Sequence, residues 1–175
     1  MNGFQTTALR GRVFLFVAAL LLAGLVLWPE HSMATTPPAN DAFEDAIIIR
    51  GDSASVVGNN EFATREKGEA DHILSGSSLG EASVWYRWTA WRSGMTRADI
   101  CKSGFDTVLA VYARDDEGDL EQVADNDDGC SSRNHRGSSL TFEAKFQETY
   151  WISVSGYSES STGNFVLSLS SVNRQ

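Results

Sequence analysis

Along much of the chain apolar and polar residues alternate one by one. SSLTFEAKF places Leu140, Phe142, Ala144 and Phe146 on one face and Thr141, Glu143 and Lys145 on the other. TYWISVSG groups Tyr150, Ile152 and Val154, and NFVLSLSSV groups Phe165, Leu167 and Leu169. A two-residue period is the mark of a strand with one face in a core. Six further segments are strand candidates: Ala46 to Ile49, Ser55 to Val57, Ser83 to Thr89, Met95 to Ile100, Thr107 to Ala113 and Leu120 to Ala124. Each is followed by a cluster of Gly, Asp, Asn or Ser, so about nine short strands with regular turn signals predict an all-β, antiparallel sandwich. A helical turn is expected only at Asp41 to Ala46, capped by Asn40 or Asp41. Gly156 to Gly163, GYSESSTG, is expected to be a polar hairpin loop between the last two strands. The stretch from 60 to 80 is a longer connection of the kind that often carries function.

The first 34 residues interrupt this pattern. Arg10 and Arg12 precede the run VFLFVAALLLAGLVLW, and Ser32-Met33-Ala34 offers small residues for cleavage, so 1–34 reads as a secretory signal peptide. The alternative is an N-terminal membrane anchor, with Val13 to Trp28 a little short of a full span. Residues 35–175 then form one domain, secreted or periplasmic, or held outside the cytoplasm by the uncleaved leader. Two cysteines, Cys101 and Cys130, remain in this exported part, where an oxidising compartment favours a disulfide between them.

The formal net charge of the whole chain is −9. Nucleic acid and anionic membrane surfaces repel such a protein, so neither is an expected partner. Divalent cations suit it better. In ADNDDGCSS, residues 124–132, hard carboxylate oxygens suit Ca²⁺. The EF-hand spacing is not met, because placing Gly129 at the loop's glycine puts Ala124 first and His135 twelfth. A site must therefore be assembled from separate loops. The candidate ligands are Asp106 at the start of one strand, Asp127 and Asp128 at the end of the next, and Glu66 or Glu69 from the long connection. Antiparallel neighbours bring the start of one strand beside the end of the next. The simpler reading is that Asn126, Asp127 and Asp128 build an Asx turn with no ion.

Taken in order, PPANDAFEDA, TREKGEADH, SVWYRWTAWRSG, CKSGFDTVLAVYARDD, VADNDDGC and the strand-rich C-terminal segment resemble the bacterial pre-peptidase C-terminal domain family. The resemblance runs from about Asn40 to Ser170. It implies a jelly-roll-like β-sandwich that serves as a non-catalytic accessory module of exported enzymes, calcium-binding in some members. No enzyme domain accompanies it in this chain.

Catalytic chemistry finds little support. HExxH, P-loop and GxGxxG patterns are absent, and neither His72 nor His135 sits in a nucleophile elbow. The chain is therefore read as a non-enzyme; a structural module without its own ligand, or a secreted hydrolase, are the alternatives. Aromatic residues suggest a second site. Alternation sends Trp85 and Trp151 outward, where, with Tyr157, they are candidates for a platform under a polysaccharide or an extracellular protein such as collagen.

Overall fold

The computed structural model describes residues 36–65, 72–74, 77–79, 82–131 and 136–172. In chain order the strands are β1 (Ile47–Ile49), β2 (Ala54–Asn59), β3 (His72–Leu74), β4 (Ser77–Leu79), β5 (Val84–Thr89), β6 (Gly94–Asp99), β7 (Thr107–Arg114), β8 (Leu120–Asn126), β9 (Ser139–Ala144), β10 (Thr149–Gly156) and β11 (Asn164–Ser171). All nine expected segments form strands. The small hairpin of β3 and β4 is additional and lies in the connection where no alternation announced it.

Five strands form one sheet in the order β1-β5-β10-β7-β8, and four form the facing sheet in the order β2-β11-β6-β9. Every pairing is antiparallel except that of β1 with β5. Outside the β3–β4 hairpin, each connection from β2 onward crosses to the other sheet, save that between β7 and β8. That crossing pattern is the paired Greek key of a jelly roll. It also corrects the expectation for Gly156 to Gly163. The segment is not a hairpin loop, because β10 pairs with β5 and β7 whereas β11 pairs with β2 and β6. Buried Asn60 fixes this bridge: its Oδ1 accepts from the Gly163 N–H at 2.9 Å, and its Nδ2 donates to the Ala82 carbonyl at 3.0 Å.

Between the sheets lie Val84, Tyr86 and Trp88 from β5, Leu109 and Val111 from β7, and Tyr150, Ile152 and Val154 from β10. They meet Leu140, Phe142 and Ala144 from β9 and Phe165, Leu167 and Leu169 from β11. The alternation of β9 stops one residue pair early. Phe146, expected on the core face, lies beyond the strand and is exposed, where Gln147 takes a positive φ of 64° to turn the chain.

The outer face of the five-stranded sheet is also covered. Trp85, Ala110 and Tyr112 form a second buried cluster under Phe43, Ala46, Leu120 and Trp151. Burial on both faces explains why TVLAVY in β7 reads as an almost unbroken apolar run. The cover is a 3-10 turn, Phe43–Asp45, whose N-cap is Ala42 with no side-chain cap. Asn40 and Asp41, expected as caps, instead tie this leading segment down. Asn40 Nδ2 donates to the Trp85 carbonyl and the Trp85 N–H to the Asn40 carbonyl, both at 2.9 Å. The Asp41 carboxylate accepts from the N–H and the hydroxyl of Thr64.

Candidate metal centre

The antiparallel pairing of β7 and β8 sets Leu109 opposite Asn126. Asp106 immediately precedes β7, and Asp127 and Asp128 immediately follow β8, so all three reach the same rim. One carboxylate oxygen from each lies within 4.8 Å of the others. Asp106 and Asp127 are half-buried and Asp128 is exposed. Glu66 and Glu69 lie outside the described residues, as do His135 and the leader.

Local hydrogen bonds shape the arm that carries Asp127 and Asp128. Asn126 Oδ1 accepts from the Gly129 N–H at 2.5 Å and from the Ser139 N–H at 3.0 Å, which fastens the turn to β9. A side-chain-closed turn is present as expected, but Asn126 closes it three residues on rather than two, and the two aspartates' carboxylates stay outside it. Behind the arm, the Ser138 hydroxyl lies 2.7 Å from the carbonyls of both Asp127 and Thr107 and donates to one at a time. Thr107 Oγ1 accepts from the Ser138 N–H at 3.0 Å. Cys101 and Cys130 are joined as expected, with Cα atoms 5.5 Å apart, and the Cys130 N–H donates to the Gly137 carbonyl at 3.0 Å. Gly137 leaves room for that bond, since a Cβ there would stand 3.0 Å from Cys130 Sγ and 3.1 Å from Cys101 Cα.

The three carboxylates crowd negative charge onto the rim. Burial, then the neighbouring Asp128 and Asp106 carboxylates, push Asp127 up to about 6. Burial and Asp128 also raise Asp106, partly offset by Arg136. Asp127 Oδ1 is buried and has no hydrogen-bond partner among the described residues. An orphaned, partly desolvated carboxylate oxygen is costly unless a proton, a water or a cation meets it. Three carboxylates from two turns supply hard oxygen donors of the kind Ca²⁺ takes, with room in such a shell for backbone carbonyls or water. The residues fit that ion.

A pH dependence follows. The folded-state value for Asp127 lies above the roughly 3.9 of an unfolded Asp, so between about 4 and 6 the native state holds the extra proton. Metal-free protein should therefore lose stability as pH rises through this window. Asp127 is half-buried and screened by water, so the loss is about 1 kcal/mol. Melting of wild type and Asp127→Asn in EDTA, at pH 4.5 and 7.5, checks this. The substitution should be near neutral at the lower pH and stabilising at the higher; equal effects at both would contradict it.

The outward aromatic platform is not present. Trp85 does point to the outer face, as alternation requires, but it is only 1% exposed. Phe43 packs edge-on against it, with ring centres 5.1 Å apart, and stacks on Trp151 at 5.6 Å. The Arg114 guanidinium covers Trp151 from 5.0 Å. Alternation gives the direction of a side chain, not what a neighbouring segment lays over it. Tyr157 is exposed but stands elsewhere: its N–H donates to the Asp106 carbonyl at 3.0 Å, beside the carboxylates, while Trp151 sits near the opposite end of β10. The roles of Gly129 and Ser138 were not foreseen, although Asn-x-x-Gly at a strand end is a legible turn signal.

Neither a family model nor a curated protein matches the sequence. Among solved structures, the chain is similar to a periplasmic inhibitor of g-type lysozyme from Aeromonas hydrophila, at 14% identity and a TM-score of 0.44 over 71% of this chain and 94% of that one. It is similar at 16% identity and TM-score 0.44 to the pre-peptidase C-terminal domain of a Bacillus anthracis collagenase, over 71% of this chain and 93% of that one. A surface-associated copper-binding protein of Methylomicrobium album gives 10% identity and TM-score 0.43, over 73% of this chain and 98% of that one.

Proposed function

We propose that the protein is an exported, non-catalytic binding module of the pre-peptidase C-terminal kind, whose β7–β8 rim takes Ca²⁺ through Asp106, Asp127 and Asp128 and whose partner is an extracellular polysaccharide or protein. The observation that carries the cation site is the convergence of three carboxylates from separate segments around a buried, unpartnered Asp127 oxygen. The Cys101–Cys130 bond supports export to an oxidising compartment. A non-catalytic role is in keeping with the hydroxyls behind this rim. Among the described residues, Thr107 and Ser138 are fully buried and bonded to backbone carbonyls and to each other.

Calcium then acts as a clasp between the arm after β8 and the turn before β7. Extracellular modules bind Ca²⁺ with Kd around 10⁻⁴ to 10⁻³ M, so millimolar calcium occupies such a site. At the tenfold excess over Kd that millimolar calcium reaches at the tight end of this range, the native state gains about 1.4 kcal/mol. For a domain of this size that raises the melting temperature by roughly 4 °C. Thermal denaturation in calcium and in EDTA should show this for wild type and not for Asp127→Asn. Melting curves that coincide in the two buffers would dispose of the cation site.

A further inference from the structure

At the end of the sandwich away from the carboxylates, β1 forms the outer edge of the five-stranded sheet. Thr89 of β5 pairs with Thr149 at this end, whereas Gly156 pairs with Thr107, next to Asp106, at the other. Among the described residues no strand pairs the outer side of β1. Its sequence is three isoleucines, of which Ile47 and Ile48 are exposed. An open edge of this kind is a template for another strand.

Beside that edge lies a groove of about 450 Å³, lined by Ile48, Arg50, Thr89, Trp91, Phe146 and Gln147 among others. Trp91 is 66% and Phe146 60% exposed. Three hydrogen bonds hold this rim in shape: Phe146 N–H to Ser93 Oγ at 2.8 Å, Gln147 N–H to the Ala90 carbonyl at 2.8 Å, and Ala90 N–H to the Glu148 carbonyl at 2.9 Å. The two large rings are thus displayed by a fixed turn, and adjacent exposed apolar groups of this size mark an interaction surface.

Charge identifies the occupant. Arg50, directly after β1, and Arg87, the register partner of Ile48, are both exposed, and neither has an ion pair among the described residues. Arg92 nearby is already paired with Asp52. On a chain of net charge −9, two unengaged guanidinium groups beside an apolar groove select an acidic partner. A free strand edge gives that partner backbone hydrogen bonds, which only a peptide offers in register.

We infer that β1 and the Trp91–Phe146 groove form a docking site for an extended peptide of another exported protein, which adds a strand to β1, seats an apolar side chain against Trp91 and sets a carboxylate on Arg50. This specifies the partner in the proposed function and does not depend on its cation site. A failed calcium titration leaves it standing, and a failed peptide selection leaves the cation site standing.

The test is selection of a displayed random heptapeptide library on wild-type protein, after depletion on Trp91→Ala and Arg50→Glu. Both side chains are exposed, and unchanged melting confirms that the variants fold. The expected products are β-branched sequences with one large apolar and at least one acidic residue. A synthetic copy of the best one should bind Trp91→Ala about tenfold more weakly, as for a central aromatic contact. Methylation of its ladder-side amides should also weaken binding, and exchanging its carboxylate for Lys should restore binding to Arg50→Glu. No enrichment over the variants would overturn the inference, as would indifference to amide methylation. So would Trp91-dependent binding of alginate, or Trp91-dependent dimerisation, in place of peptide binding.

Discussion

Replacing Cys101 and Cys130 together by Ser is expected to lower the melting temperature by roughly 10 °C, the thermal equivalent of about 3.5 kcal/mol in a domain of this size. The bond spans 29 residues, and closing a loop of that length restricts the unfolded chain substantially. The same closed segment contains Asp106, all of β7 and β8, and the Asp127–Asp128 arm. Cutting it leaves Asp127 and Asp128 held chiefly by the Asn126 turn and the Ser138 hydroxyl. Calcium should then stabilise the double variant less than wild type, because part of its binding energy goes into ordering the arm. Melting of both proteins, with and without calcium, measures the two effects. A calcium-induced shift of the same size in both would show that the disulfide does not position the ligands.

Gly129→Ala should have the second large effect, about 3 kcal/mol of destabilisation together with loss of calcium binding. A Cβ at this position would collide with the Ser139 carbonyl oxygen and with Asn126 Oδ1. The first belongs to β9 and does not move without parting strands. The second would be pushed out of place, stranding the Gly129 and Ser139 N–H groups from which it accepts. Either shift redirects Asp127 and Asp128, two of the three proposed ligands. Chemical denaturation gives the stability change and calorimetry the binding. An alanine variant that melts like wild type and still binds calcium would refute this account of the turn.

The fold was legible because its inner faces obey a two-residue period. Leu140, Phe142 and Ala144 or Phe165, Leu167 and Leu169 need only the opposite sheet to be buried. The Asp106–Asp127 convergence was legible for a related reason, since antiparallel succession of β7 and β8 fixes which ends meet. What failed depended on segments distant in sequence. Trp85 looked exposed because nothing in SVWYRW states that Phe43 will lie over it. Gly156 to Gly163 looked like a hairpin because the partners of β11 are β2 and β6, far earlier in the chain. The open edge of β1 was hidden likewise, since III fits a central or an outer strand equally well.

The most direct test of the cation site is calorimetric titration of calcium into metal-free protein at neutral pH. The proposed site predicts binding at one ion per chain, with a dissociation constant of roughly 10⁻⁴ to 10⁻³ M, that Asp106→Asn and Asp127→Asn each abolish. Absence of binding heat for the wild type at several temperatures and millimolar calcium, or binding undiminished in both variants, would contradict it.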